Sequence, residues 1–223
     1  MSRVSFSAAS SARAYARAGA RRVRGLYAIT PDEPDTVALI DQVRRCLSGG
    51  ARLVQYRNKA ARAPLRHEQA AALLDLCRDA GVPLIVNDDL ELAIAIDADG
   101  VHLGRDDTGL AEARRRLAPG KILGASCYDR LDAARVAVDR GADYVAFGAA
   151  YPTAIKPDAP RASLVLYADA KAALGVPVVA IGGITPENAV ALAAAGVDAV
   201  AVITALFAAP DIEQRARAFA RLF

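Results

Sequence analysis

The chain alternates between short apolar stretches and longer segments with helical periodicity. At five junctions a helical segment ends in glycine and an apolar run follows: GGARLVQ (49–55), AGVPLIV (80–86), RGADYVA (140–146), LGVPVVA (174–180) and AGVDAVA (195–201). Glycine supplies the left-handed conformation that ends many helices. The apolar runs are short and β-branched, as in strands that are buried on both faces. Because helices separate the strands, the pattern predicts a parallel sheet.

The pattern extends to the whole chain. It predicts eight strands, at Gly25–Thr30, Arg52–Arg57, Pro83–Asn87, Gly100–Leu103, Lys121–Ser126, Tyr144–Gly148, Val178–Gly182 and Ala199–Ile203. It predicts a helix after each strand, near 35–48, 65–80, 89–96, 110–117, 131–140, 162–174, 186–195 and 211–223. Eight such units predict an α/β protein with a single (β/α)8 TIM barrel. The alternative is an open doubly wound sheet, but its polar residues would gather at one switch point rather than after nearly every strand.

The composition supports one domain and excludes a membrane-spanning protein. Of the 223 residues, 54% are hydrophobic, which is enough for one large core. No apolar run approaches the roughly 20 residues that a membrane helix needs. Cys46, Cys77 and Cys127 lack the spacing of a metal site. They indicate a reducing cytoplasm, with Cys46 and Cys77 expected as buried thiols in helices.

The net charge of +3 is concentrated at the amino terminus. Residues 1–31 contain six arginines and no acidic residue, so the rest of the chain has 22 basic and 25 acidic residues. The body of the chain is therefore not expected to bind polyanions such as nucleic acid. We predict a disordered basic extension over residues 1–23 and a barrel domain over 24–223. The extension has transit-peptide composition, but an unstructured bacterial leader or an overlong start is the favoured interpretation, with targeting as the alternative.

Polar residues follow the predicted strands, at the end of a barrel where active sites form. Gln55, Arg57 and Lys59 alternate, so a continuing strand would point all three side chains to one face. Two neighbouring cations repel each other unless an anion joins them, and a diphosphate meets this requirement. A solvated strand end with surface ion pairs is the alternative.

Two carboxylates follow neighbouring strands. Asp88 comes after strand three and Asp107 after strand four. Beside a diphosphate they predict a Mg²⁺ site, because Mg²⁺ takes one or two carboxylates together with phosphate oxygens. Asp89 and Asp106 are the adjacent alternatives. Helix capping is the expected role of Asp89 and the alternative role of Asp88.

Two turns near the end of the chain predict a phosphate site. Gly182-Gly183 follows strand seven, and Ile203-Thr204 follows strand eight and opens a short helix. In this fold the loops after these strands commonly bind phosphate through backbone N–H groups. The alternative is two ordinary turns. Of the two histidines, His67 is expected to be exposed, and His102 to be packed and hydrogen-bonded, with a catalytic base as the alternative for His102.

The order of these motifs resembles the thiamine-phosphate synthase family. The similarity covers about residues 25–223 and is carried by VQYRNK (54–59), VNDD (86–89), GVHLGRDD (100–107), LGAS (123–126), PTAIK (152–156), AIGGI (180–184) and AVITALF (201–207). It implies that a pyrimidine methyl diphosphate reacts with a thiazole phosphate, with Mg²⁺, to give thiamine phosphate and diphosphate. Such a reaction needs charge stabilisation on the leaving diphosphate more than a protein nucleophile.

The resemblance also implies residue roles. Gln55 and Asn87 contact the pyrimidine; Arg57, Lys59 and Lys156 hold the diphosphate; Ser126 contacts either; Asp88 and Asp107 bind Mg²⁺; Thr153, Gly183, Ile203 and Thr204 serve the thiazole phosphate. Of these, Arg57, Lys59, Lys156 and Ser126 are expected to be catalytic. The family motif usually reads PTxTK, and Ile155 stands here in place of the second Thr. The missing hydroxyl is expected to weaken thiazole-phosphate binding rather than to change the reaction.

Three other functions share part of the pattern. A thiazole tautomerase on the same barrel needs the phosphate site but neither Mg²⁺ nor the diphosphate cluster. A sugar-phosphate epimerase also leaves that cluster unexplained. A catalytically silent sensor of phosphorylated metabolites has no need for Arg57, Lys59, Asp88 and Asp107 together. These four residues favour a synthase, whose oligomeric state is left open, with a homo-oligomer as one possibility.

Overall fold

The strands of the chain close into a barrel. The computed structural model describes residues 22–104, 109–153 and 160–223. Its strands are β1 (Gly25–Ile29), β2 (Leu53–Tyr56), β3 (Leu84–Asn87), β4 (Gly100–Leu103), β5 (Ile122–Tyr128), β6 (Tyr144–Phe147), β7 (Val178–Ile181) and β8 (Ala199–Val202). Each strand pairs in parallel with the next, and β1 pairs with β8. The predicted (β/α)8 barrel is confirmed, and closure excludes the open sheet.

Helices follow the strands as predicted. Within the described ranges they are α1 (Thr36–Ser48), α2 (Ala63–Asp79), α3 (Leu90–Ala95), α4 (Leu110–Arg116), α5 (Leu131–Asp139), α6 (Leu164–Ala173), α7 (Pro186–Ala194), α8 (Thr204–Phe207) and α9 (Ile212–Ala220). Helix α8 is the short helix expected at Thr204. Helix α7 starts as predicted, because the Thr185 side chain accepts a hydrogen bond from the N–H of Asn188, with proline in the first turn.

The predicted boundaries differ from the observed ones where a loop leaves the barrel wall. Strand β2 ends at Tyr56, so Arg57 lies in a loop rather than in a continuing strand. Strand β5 runs through a bulge to Tyr128, beyond the predicted end at Ser126, because a polar side chain facing the barrel interior does not interrupt backbone pairing. The predicted glycine helix end is wrong at Gly175. There, helix α6 leaves through Leu174 in an extended conformation, which requires no left-handed residue.

Alternate strand residues fill the barrel interior. This inner cluster consists of Val23, Tyr27, Ile29, Leu53, Ile85, Ile122, Tyr144, Ala146, Val179, Ala199 and Ala201. The opposite faces of the strands pack against the helices in two further clusters. Each strand is therefore buried on both sides, which explains why its sequence is apolar throughout rather than alternating.

The three cysteines are buried and unpaired. Burial raises the pKa of each thiol to about 12, so all three stay protonated and inert near neutral pH. The prediction of buried thiols at Cys46 and Cys77 is confirmed. In the part of the chain that the structure describes, helices of the length and apolarity needed to cross a membrane do not occur.

Three aspartates link neighbouring strands at the end of the barrel where the strands begin. Asp99, Asp143 and Asp198 directly precede β4, β6 and β8. Their carboxylates accept hydrogen bonds from the N–H groups of Leu84, Leu123 and Val178, at 2.9, 2.8 and 2.8 Å. A basic side chain lies beside each one: Arg22, Arg114 and Lys171, respectively. These strand-linking aspartates tie β3 to β4, β5 to β6 and β7 to β8.

The most buried of them, Asp143, predicts a distinct pH dependence of stability. Asp143 is 3% exposed, and desolvation raises the pKa of its carboxyl group to about 6. The hydrogen bond from the Leu123 N–H and the charge of Arg114 lower the pKa by a smaller amount. The folded state therefore binds a proton more tightly than the unfolded state does. This group makes the free energy of unfolding fall by about 3 kcal/mol as pH rises from about 4 to 6.

Asp143→Asn keeps an acceptor for Leu123 and cannot titrate. Urea unfolding at several pH values between 4 and 7 checks the expectation on the difference between wild type and variant, because the other carboxylates contribute equally to both. We expect wild type to lose stability relative to the variant as pH rises through this window. A difference that stays constant with pH would contradict the assignment.

The start of the barrel domain gives a second prediction. Val23 is 2% exposed and belongs to the inner cluster, although the sequence placed it in the extension. Deleting residues 1–21, which lie outside the described residues, is expected to leave the melting temperature and activity unchanged. Deleting residues 1–24 should lower the free energy of unfolding by about 1.5–3 kcal/mol, the value of one buried valine. Equal losses of stability in the two truncations would show that residues 22–24, including Val23, do not stabilise the barrel.

Candidate active site

One cavity of about 610 Å³ opens at the carboxyl ends of the strands. Its lining includes ten of the residues that the sequence nominated: Gln55, Arg57, Lys59, Asn87, Asp88, Ser126, Thr153, Gly183, Ile203 and Thr204. The other two, Asp107 and Lys156, lie outside the described residues, as does Ile155. Residues separated by up to 149 positions thus meet around one space, because all strands of a parallel barrel end on the same side.

The loop after β2 carries the two cations. Thr30 is fully buried, and its hydroxyl accepts from the N–H of Arg57 and donates to the carbonyl of Arg57, each at 2.8 Å. Asp32 accepts from Arg57 Nη1 at 3.2 Å and from the backbone N–H of Lys59 at 2.7 Å. The two cations share the cavity because Asp32 folds the loop around itself. Their placement does not come from a continuing strand.

Asp32, which contacts both Arg57 and Lys59, was not predicted from the sequence. It lies in the segment PDEPD (31–35), directly after β1. The signal in the sequence was an acidic segment after the strand next to the one that precedes Arg57 and Lys59. Its carboxylate offsets part of the repulsion between Arg57 and Lys59, so the loop is folded before an anionic ligand arrives.

Asp88 faces the cavity in a constrained backbone conformation. Its φ is +60°, and its N–H donates to the carbonyl of His102 at 2.8 Å. The Asp88 carboxylate lies 3.6 Å from Lys59 Nζ. Left-handed backbone costs a non-glycine residue about 1–2 kcal/mol, and such strain is concentrated at functional sites.

The neighbouring acid has the capping role. Asp89 accepts from the N–H of Leu92 at 2.9 Å at the start of α3, which confirms the prediction for Asp89. Asp88 is not the capping residue, so the capping alternative for it is wrong. Within the described ranges there is no group of three or more His, Cys, Asp or Glu side chains that could hold a metal ion. A hard cation that shares phosphate oxygens needs only one or two carboxylates, and Asp88 suits that role.

The loops after β6 and β7 pack backbone against backbone. Gly182 and Gly183 have φ values of +99° and +64°. A Cβ atom on Gly183 would lie 2.3 Å from the carbonyl oxygen of Pro152, so glycine is required there. The side chain of Asn188 donates to the carbonyl of Gly183 at 3.0 Å and fixes the turn to helix α7. The predicted phosphate turn is therefore a rigid part of the cavity wall.

A chain of hydrogen bonds crosses the barrel interior below the cavity. Gln55 Nε2 lies 2.7 Å from the Tyr27 hydroxyl, which lies 2.9 Å from the Tyr144 hydroxyl. Tyr144 lies 2.8 Å from His102 Nδ1, and His102 Nε2 lies 2.9 Å from Ser126 Oγ. We call these five residues the interior polar chain. The prediction that His102 is packed and hydrogen-bonded is confirmed.

Comparison with known proteins places the chain in a family. A family model described as thiamine monophosphate synthase matches residues 26–206. The chain belongs to the thiamine monophosphate synthase family. The resemblance carried by the strand-end motifs is thereby confirmed. Like the family, the chain is an enzyme of the transferase class.

Named relatives of the thiamine monophosphate synthase family agree over nearly the full length. A thiamine-phosphate synthase of Methylobacillus flagellatus is 58% identical over 201 residues, covering 90% of this chain and 96% of the relative. One of Aromatoleum aromaticum is 54% identical over 202 residues, covering 91% and 97%. A solved thiamine phosphate pyrophosphorylase from Pyrococcus furiosus is 35% identical, with a TM-score of 0.81, and covers 91% of this chain and 96% of its own.

Proposed function

We propose that the cavity joins a pyrimidine methyl diphosphate to a thiazole phosphate and releases thiamine phosphate and diphosphate. One observation carries the proposal: the cation-rich loop after β2 and the rigid glycine turn after β7, three strands apart around the barrel, line the same cavity. Two phosphorylated substrates can then bind face to face. Family membership supports this pairing of pyrimidine and thiazole substrates.

The leaving diphosphate belongs on the β2–β3 side. Arg57 offers a planar guanidinium that can fork onto phosphate oxygens, and Lys59 adds a point charge. Asp88, with Asp107, would hold Mg²⁺, which when bound neutralises charge on the departing diphosphate. In place of their ion pair, Lys59 would contact the diphosphate and Asp88 the metal.

The bond change requires alignment more than protein nucleophilicity. The carbon–oxygen bond to the diphosphate breaks, its electron pair leaves on the diphosphate, and the thiazole nitrogen forms the new bond to the methylene carbon. Gln55 and Asn87 would orient the pyrimidine ring, while Thr153, Gly183, Ile203 and Thr204 would hold the thiazole phosphate. Holding both reactants in line converts a collision into a step within one complex.

The test is a direct assay of the purified chain. With both substrates and Mg²⁺ we expect thiamine phosphate and diphosphate in equal amounts, and with EDTA we expect no product. Formation of a rearranged thiazole phosphate without the pyrimidine substrate would instead favour a tautomerase. Tight binding of both substrates without turnover would favour a sensor.

Two further expectations accompany the proposal. Unpaired, buried thiols support a reducing compartment, and we propose that the enzyme acts in the cytoplasm. A homo-oligomer stays a prediction, for which light scattering of the purified chain is the measurement.

A further inference from the structure

The donor and acceptor roles of the residues in the interior polar chain depend on one another. Each tyrosine hydroxyl is buried between two partners of the interior polar chain. Its single hydrogen is costly to leave without an acceptor, so each hydroxyl donates to one partner and accepts from the other. A neutral histidine obeys the same rule, because one ring nitrogen donates and the other accepts. The four hydrogen bonds through Tyr27, Tyr144 and His102 must therefore all point in the same direction.

The two possible directions present different groups to the cavity. If the bonds point from Gln55 towards Ser126, then Gln55 donates inward and its Oε1 remains an acceptor for a ligand. His102 then donates from Nε2 to Ser126, whose own hydrogen is directed to a ligand. In the opposite direction Gln55 offers N–H donors, and the Ser126 hydrogen is used by His102.

Burial fixes the hydrogens of the two tyrosines. Tyr27 is 1% exposed and Tyr144 is 0% exposed, and desolvation raises the pKa of both hydroxyls above the ordinary value. Both hydroxyls therefore remain protonated under working conditions. Reversing one hydrogen bond leaves two donors or two acceptors facing each other in the barrel interior, which is costly in a buried site.

We infer that Tyr27 and Tyr144 are positioning residues that couple Gln55 to Ser126 and orient the interior polar chain from Gln55 towards Ser126. The inference rests on the proposed function. The 4-amino group of the pyrimidine donates hydrogen bonds, which Gln55 Oε1 accepts. The diphosphate only accepts, which suits the Ser126 hydroxyl. Both ends of one substrate thus favour the same direction of hydrogen bonding. The interior polar chain in this direction favours binding of a 4-amino pyrimidine over a 4-oxo pyrimidine.

The direction of the chain can be measured without any substrate. The protein has two histidines. The ring-nitrogen resonances that remain in nitrogen-15 spectra of His67→Gln therefore belong to His102. In wild type we expect neutral His102 with its hydrogen on Nε2, and in Tyr144→Phe we expect a mixture of tautomers. A hydrogen on Nδ1 in wild type, or on both nitrogens at neutral pH, would overturn the assigned direction.

The coupling is measured by ligand binding. The ratio of the dissociation constants of the 4-oxo and 4-amino pyrimidine methyl diphosphates is determined for wild type, Tyr27→Phe and Tyr144→Phe. We expect this ratio to fall by roughly ten-fold in both variants, because each break frees the Gln55 amide to turn without reversing the full chain. Thiazole-phosphate binding should change less than three-fold, on the order of ordinary variation between mutants.

A matched control separates positioning from simple loss of a buried hydroxyl. Tyr167 is also fully buried, and its hydroxyl donates to the carbonyl of Phe147 at 3.0 Å, outside the interior polar chain. Tyr167→Phe should leave the ratio and the His102 resonances unchanged. Equal changes of the ratio in all three variants, or none in Tyr27→Phe and Tyr144→Phe, would overturn the coupling. If wild type forms no thiamine phosphate, the proposed function fails, while the resonances still decide the direction.

Discussion

Asp88→Asn is expected to lower kcat by about a hundred-fold while leaving the fold intact, since losing an acidic metal ligand typically has an effect of this order. Asparagine keeps the size of the side chain but removes the negative charge. It also tolerates the left-handed backbone that Asp88 adopts, with φ of +60°. Steady-state kinetics at increasing Mg²⁺ should show a raised Mg²⁺ requirement together with an unchanged melting temperature.

The adjacent residue provides the control for this prediction. Asp89→Asn makes the same chemical change one position along, and asparagine caps a helix about as well as aspartate. Its activity should therefore stay close to that of wild type. The family resemblance predicts a loss at Asp107→Asn similar to that at Asp88→Asn. Full activity of Asp88→Asn, or wild-type activity that survives EDTA, would remove the metal assignment.

Arg57→Ala is expected to lower kcat/KM for the pyrimidine diphosphate by about 10²–10³-fold, the usual effect of removing one preorganised charge-stabilising donor. The Arg57 side chain is 17% exposed and already lies against Asp32, so its guanidinium is held before substrate arrives. The KM for the thiazole phosphate should change little, because the proposed phosphate turn follows β7, three strands away from β2 around the barrel. Kinetics with each substrate varied in turn make this distinction.

Two further variants sharpen the result for Arg57. Arg57→Lys keeps the charge but loses the fork, so we expect intermediate activity. Arg44→Ala removes an exposed arginine that lies 3.9 Å from Asp41 on helix α1, and it should behave as wild type. If Arg57→Ala raises only the KM for the thiazole phosphate, the two phosphate positions are the wrong way round.

The sequence predicted the barrel and ten residues of the cavity lining for one physical reason. Strand and helix periods are local properties, and a parallel barrel brings every strand end to the same side without further information. Asn87 and Thr204 could therefore be assigned to one site although 117 residues separate them. The predicted roles of these residues in catalysis and binding remain predictions.

The features that were missed depend on contacts between distant residues. The Tyr27–Tyr144 hydrogen bond joins residues 117 positions apart, and each tyrosine alone reads as an ordinary core residue of a strand. Asp32 holds Arg57 only because a loop turns back on itself, which neither strand nor helix periodicity encodes. Aromatic residues make up only 5% of the chain. Because they are scarce, two tyrosines in predicted strands were the signal that polar groups enter the barrel interior.

The strand-linking aspartates have a consequence for how such an enzyme can change. Asp99, Asp143 and Asp198 fasten three successive pairs of strands at the end of the barrel opposite the cavity. Each of these three strand pairs is thus held by hydrogen bonds at the end of the barrel remote from the cavity. Loops at the catalytic end can be exchanged, lengthened or redirected towards another phosphorylated substrate while these three strand pairs stay linked at the other end.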